Sequence, residues 1–175
     1  MEEVAGASIE ERAYGQPRWV RVDGLHLTLR FLGATPNDRQ SDLAVALQAS
    51  ATGVEPFEVS LNGAGAFPNP SRPRVLWVGI TSGAAELGVL AQKLSSELER
   101  LGWPPEDRPF APHLTLARTD GVPGAGDKAQ RLMELARDLD LRWRADRLVL
   151  YRSVLGRGPA RYDPVVEAAL TGHGS

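Results

Sequence analysis

A chain of 175 residues with 42 % hydrophobic and 24 % charged content has the makeup of an ordinary globular protein, long enough for one domain or two small lobes sharing a core. The absence of cysteine excludes disulfides, thiolate metal sites and a cysteine nucleophile, and a net charge of −2 excludes the global basic field that extended duplex binding requires. No apolar run is long enough to cross a bilayer, and the opening Met1-Glu2-Glu3 is acidic rather than basic, so the cytoplasm is the expected compartment and no membrane partner is expected.

In chain order, residues 1–16 predict a frayed helical lead-in, because Gly6, Ser8 and Gly15 weaken any helix. Residues 18–22 read as a short strand, Asp23-Gly24 as a turn, and 25–32 as a strand ended by Gly33. Thr35 is placed as the N-cap of a helix, with Pro36 at its first position and its end near Ser50. Residues 57–62 alternate as a strand, the glycine- and proline-rich 63–73 stretch forms a long turn, and 75–80 is an apolar strand. Leucines at 87, 90, 94, 98 and 101 give the clearest helix, 84–101, closed by Gly102.

Three prolines then lead into a strand at 110–118, followed by a flexible break at 121–126 and an amphipathic helix over 127–138. A strand at 146–155, a hairpin-type turn at 156–159 and a closing strand at 161–170 broken by Pro164 complete the order; the last five residues, with His173, read as loose. The predicted fold class is α+β. Two lobes of antiparallel sheet with flanking helices, related by an approximate two-fold, form one bilobal domain over 1–175 with a cleft between them.

The chemistry concentrates in one tetrapeptide that occurs twice, as His26-Leu27-Thr28-Leu29 and His113-Leu114-Thr115-Leu116, about half the chain apart. On a strand, His and Thr at i and i+2 share a face and the leucines take the other. Each copy therefore presents an imidazole beside a hydroxyl, with an apolar back. A single histidine on a strand is more often a hydrogen-bonded structural residue. Two of the three histidines in identical tetrapeptides point instead to one shared site. Two imidazoles facing one substrate supply a general base and a general acid at once, and the hydroxyls of Thr28 and Thr115 can donate to phosphate oxygens. The pattern suits opening a phosphodiester by water without a metal.

Neither motif carries an acid at a zinc-ligand offset, Gly121 to Gly126 lacks the Lys-Ser/Thr of a phosphate loop, and no Gly-x-Ser-x-Gly elbow occurs. No cofactor and no metal are expected.

The stretches Leu25 to Gly33, Pro73 to Trp77, Phe110 to Arg118 and Leu148 to Ser153 resemble the 2H phosphoesterase superfamily. Within it, the similarity is to the RNA 2′,3′-cyclic phosphodiesterase family, also named 2′-5′ RNA ligase. The resemblance implies an enzyme that hydrolyses RNA termini bearing a 2′,3′-cyclic phosphate, tRNA fragments included, to a 2′-phosphate. It implies His26 as the proton donor to the 3′-oxygen and His113 as the acceptor that activates water. It further implies Thr28 and Thr115 as phosphate ligands, Arg118 as the phosphate-contacting arginine, and ATP-independent ligation as the reverse reaction.

Two departures stand out. Family members open with an apolar strand and a helix before the Trp19 region, and that strand is missing here: either the chain is truncated or wrongly started, or another segment or subunit is expected to cover an exposed sheet edge. Strand parity also puts Arg118 on the face opposite His113 unless a bulge or the strand end re-aims it; Arg30 shares the parity of His26 and is the alternative phosphate contact. Two other functions fit the same residues: an RNA-end or nucleotide binding module without catalysis, and a phosphodiesterase acting on another cyclic nucleotide or on 2′-5′ oligoadenylate.

Overall fold

Alternating apolar and polar residues build two antiparallel sheets in the computed structural model, which describes residues 16–120, 122–154 and 160–172. The larger sheet contains β1 (Arg18–Trp19), β2 (Phe57–Phe67), β3 (Val75–Ser82), β4 (His113–Arg118) and β5 (Leu141–Ala145), in the order β1-β4-β3-β2-β5. The smaller is a hairpin of β6 (Arg147–Val154) and β7 (Arg161–Ala169). Helices α1 (Gln40–Ala51) and α2 (Ala84–Arg100) bury Leu47, Ala51 and Leu90 against Leu148, Ala168 and Leu170 of the hairpin region. Helix α3 (Ala125–Leu135) covers one face of the larger sheet, with Ala129 packed on Ala66, Leu76 and Ala117. The opposite face is left for the site. Among the described residues, no helix is long and apolar enough to cross a membrane.

The α+β class, the helix at 84–100 and the strand at 75–82 follow the sequence pattern closely. Several elements differ. The predicted strand 25–32 does not form: only Leu27 makes a bridge, to Leu114. Beside it, between α1, α2 and β6, lies a cavity of about 770 Å³ in which leucine is the commonest lining residue, and among the described residues no further backbone pairs with the segment. The strand at 18–22 shrinks to β1, because residues 22–24 turn into a 3-10 helix. Thr35 does not cap a helix. Its hydroxyl bonds the Gly33 carbonyl at 3.3 Å, Pro36 remains extended, and α1 begins at Gln40 after a 3-10 turn over residues 37–39.

Strand β2 runs through the expected turn to Phe67. Gly63, at φ +66°, sits where the register shifts between Leu61 and Ala64, a position where glycine relieves the strain of a bulge. Strand β5 lies between two predicted elements and was not expected; it pairs with residues 57–61 of β2. The second motif strand is shorter than 110–118, because Phe110 to Pro112 stay outside the ladder. The predicted helix 127–138 runs over 125–135. Pro164 does not break β7: it faces Tyr151 at a register shift after Leu150, where a missing N–H is tolerated. Most of the helical lead-in, the turn at 156–159 and His173 lie outside the described residues.

Gly65 is required by packing. A Cβ on Gly65 would fall 2.3 Å from Trp77 Cζ2, because the indole lies across the backbone of its cross-strand partner. Replacing Gly65 with Ala is expected to lower stability by about 1–3 kcal/mol, as overpacking does, measured as a lower urea midpoint with an unchanged slope. An unchanged midpoint would show that the indole moves freely.

Candidate active site

The isolated Leu27–Leu114 bridge is antiparallel and joins the second residue of one His-x-Thr motif to the second residue of the other. Paired residues on neighbouring strands share a face, and both leucines enter one hydrophobic cluster with Leu61 and Val78. The flanking residues therefore turn the other way: His26, Thr28, His113 and Thr115 all project from a single face. In antiparallel order His26 neighbours Thr115, and Thr28 neighbours His113. The two histidines are diagonal to each other, a relation that separates side-chain bases by about 7–8 Å. That spacing leaves room for one phosphate between the rings.

Each ring is held in the same way. His26 Nδ1 lies 2.8 Å from the Gly24 carbonyl, and His113 Nδ1 lies 2.7 Å from the Ala111 carbonyl. A carbonyl only accepts, so both Nδ1 atoms carry hydrogen and both Nε2 atoms remain for a substrate. The Gly24 carbonyl belongs to a turn tied by Arg21, whose guanidinium bonds both oxygens of Asp23 at 3.0 and 3.1 Å. That hydrogen bond holds the Asp23 carboxyl below the usual carboxylate range.

Arg118 is on the same face as well. Strand β4 pairs Thr115 with Trp77, then Ala117 with Leu76 and Arg118 with Val75. Leu116 is the extra residue of a bulge. Because Val75, Trp77 and Gly79 alternate onto one face of β3, their partners Arg118, Thr115 and His113 share it. Simple parity, which put Arg118 on the opposite face, is thus overturned by the bulge. Arg18 lies directly across from Arg118 and is drawn aside by Asp120 at 3.2 Å, while Arg118 is exposed.

Arg30 has different surroundings. Its side chain is 5 % exposed, its Nη2 donates to the Pro104 carbonyl, and its Nε is 3.7 Å from Glu106 Oε1. It ties the first motif to the loop that precedes His113.

The walls were not predicted. His26 has Tyr162 at 4.4 Å, edge-on, and Tyr151 at 5.5 Å. His113 has Phe67 at 5.1 Å, edge-on, and Trp77 at 6.2 Å. Tyr151 and Trp77 fall in stretches whose pattern stands out, but no local signal shows that they flank a histidine. Phe67 is hidden in a segment that reads as a turn. Among the described residues, no group of three His, Asp or Glu side chains converges as a metal site.

The model of the 2′-5′ RNA ligase superfamily matches residues 2–157. The RNA 2′,3′-cyclic phosphodiesterase of Aeropyrum pernix is 39 % identical over 103 residues, 59 % of this chain and 57 % of that protein. The first three curated relatives are matched over 57, 66 and 48 % of their own length. Among solved structures, TT0787 of Thermus thermophilus superposes with a TM-score of 0.74 at 30 % identity, covering 90 % of this chain and 84 % of that one. E. coli LigT complexed with 3′-AMP gives 0.71 at 31 % identity, with 89 and 82 % covered.

The paired carbonyl contacts predict one tautomer for both rings. In ¹⁵N-resolved spectra at a pH where the rings are neutral, His26 and His113 should both show a protonated Nδ1 and a bare Nε2. An Nε2–H tautomer at either ring would contradict the arrangement.

Proposed function

The chain belongs to the 2′-5′ RNA ligase superfamily, and from that premise we propose that it hydrolyses RNA 2′,3′-cyclic phosphate termini to 2′-phosphates, with His26 and His113 as acid and base. The observation that carries this reading is the Leu27–Leu114 bridge, which turns both imidazoles and both threonines to one face. The cyclic phosphate lies between the rings. His113 takes a proton from water at its bare Nε2 as the water attacks phosphorus, and His26 gives its Nε2 proton to the departing 3′-oxygen. Thr28 and Thr115 donate to the non-bridging oxygens. Arg118 neutralises the charge that grows on them, while Arg30 keeps the Pro104–Glu106 loop in place.

The same pair runs the reverse joining of a cyclic phosphate to a 5′-hydroxyl, with acid and base exchanged. The substrate is a single-stranded RNA 3′ end, tRNA fragments among the candidates, met in the cytoplasm. A net charge of −2 keeps the contact local to the terminus. Acid and base both come from side chains, so the reaction needs no metal or cofactor, and both halves of the chain act as one bilobal unit.

Replacing His26 or His113 with Ala should each lower kcat on a cyclic-phosphate-ended oligonucleotide by about 10²–10⁴-fold, with the circular dichroism spectrum unchanged. The wild-type rate should persist in EDTA. It should fall at low pH, where the base is protonated, and at high pH, where the acid is not. Full turnover by either alanine variant would place the chemistry elsewhere; loss of the rate on chelation would bring in a metal.

A further inference from the structure

Each imidazole has its own aromatic pair, and the two pairs differ. Those beside His26, Tyr151 and Tyr162, come from the β6–β7 hairpin. Those beside His113, Phe67 and Trp77, come from β2 and β3 of the larger sheet. In an in-line displacement the attacking and leaving oxygens stand on opposite sides of phosphorus. In the proposed reaction the leaving 3′-oxygen, with its ribose and base, belongs to the His26 side. The His113 side receives the attacking group. Water in that position makes no use of an aromatic surface, whereas the nucleoside of a 5′-hydroxyl RNA end has a base to place.

We propose that Phe67, backed by Trp77, is a stacking subsite for this second nucleoside, the one that carries the 5′-hydroxyl. The inference rests on the phosphodiesterase reading and extends it to a second ligand. Phe67 is 38 % exposed and forms a T-shaped pair with His113 at an interplanar angle of 82°. It packs on Trp77 at 5.2 Å and 34°, and its register partner Val75 is also the partner of Arg118, which puts Phe67 on the face of His113 and Thr115. Trp77 is fixed in turn: its ring fills the space above Gly65 and lies 3.6 Å from where a Cβ on Gly79 would stand. The surface is therefore set before any base arrives, so little entropy is lost when one does. Base–aromatic stacking is tolerant of sequence, which suits an end that is not chosen by its base.

In the joining step the 5′-oxygen attacks phosphorus and gives its proton to His113 Nε2. The phosphorus–O5′ bond forms, the phosphorus–O3′ bond breaks, and O3′ takes the proton from His26. Cleavage of a 2′-5′ linkage is the reverse. The 3′-hydroxyl loses its proton to His26 and closes the cyclic phosphate, and the 5′-oxygen leaves with a proton from His113.

The test compares one-nucleoside and two-nucleoside substrates through the ratio of their kcat/KM values. Adenosine 2′,3′-cyclic phosphate is hydrolysed without the subsite, while adenylyl-2′-5′-adenosine is cleaved with it. Phe67→Ala should lower the ratio of dinucleotide cleavage to cyclic-phosphate hydrolysis by about tenfold or more, the loss of one stacked base. Phe67→Trp should restore most of that ratio, and Tyr151→Ala, on the opposite wall, should lower both rates together. A Phe67→Ala variant that loses both rates by the same factor would reduce Phe67 to a support for His113 and overturn the proposal. Failure of Phe67→Trp to recover the ratio would do the same. A wild-type protein that hydrolyses the cyclic phosphate but leaves the dinucleotide intact overturns the subsite alone. One inert to the cyclic phosphate overturns the phosphodiesterase reading and the subsite with it.

Discussion

A single antiparallel contact between Leu27 and Leu114 sets the face to which the histidine and threonine of both His-x-Thr motifs turn. The two His-x-Thr segments are far apart in sequence, and among the described residues no other bridge pairs the backbone of the first with that of the second. Because the contact falls at the middle of each tripeptide, it creates a local dyad: whatever one motif offers on the cleft face, the other offers in reverse order. Leu114 is buried with Leu61 and Val78, and Leu27 packs half-buried against them; full burial of a leucine contributes about 1.5–3 kcal/mol. Apolar burial on one side of the sheet thus sets the polar arrangement on the other, with no direct bond between the two histidines.

Two backbone irregularities complete what the dyad begins. The bulge at Leu116 shifts the alternation of β4 by one residue and brings Arg118 onto the face of His113 and Thr115. A regular strand could not present these three residues together, since His113 and Thr115 both stand an odd number of positions from Arg118. At the other end of each motif the carbonyl two residues before the histidine accepts from Nδ1. An extended segment that turns just before the histidine puts this carbonyl within reach, which explains why a 3-10 turn over 22–24 precedes His26 and an unpaired Phe110-Ala111-Pro112 precedes His113. Regular secondary structure ends where the tautomer has to be set.

These details mark how far the sequence could be read. The motifs were legible because period-two alternation and repetition of a polar pair are local signals, and so was α2, where leucines recur at helical spacing. The bulge was not: Leu116 looks like any other apolar strand residue, and the shift exists only relative to β3. Gly63 and Gly65 read as breakers, so the sequence pattern ends β2 at residue 62. In the fold, Gly65 makes room for Trp77, a requirement set by a residue twelve positions away. Strand β5 is Leu-Arg-Trp-Arg-Ala, a pattern that alternates but is too short and too charged to stand out until Phe57 to Leu61 provide its partner. The strand expected at 25–32 failed for a matching reason, since its pattern is that of a strand but a strand needs neighbours on the ladder.

The walls show why near-symmetrical chemistry sits in an asymmetrical fold. Microscopic reversibility requires one acid and one base to exchange roles between the two directions of a phosphoryl transfer, and a dyad of identical motifs provides that exchange without any preference of its own. Discrimination between the two sides of the phosphate must come from outside the motifs. It is available here because the aromatic neighbours of His26 and of His113 are drawn from different sheets. The sheets meet at a corner with no slack: Asp146 alone separates β5 from β6, its carbonyl accepts from the Leu170 amide at 2.8 Å, and Thr52 bridges Thr171 beside it. The spacing of the tyrosine wall from the Phe67–Trp77 wall therefore depends on this junction, remote from the histidines. In the proposed reaction, a substrate that spans the cleft is measured by the packing of two sheets, while its phosphate is handled by the pairing of two strands.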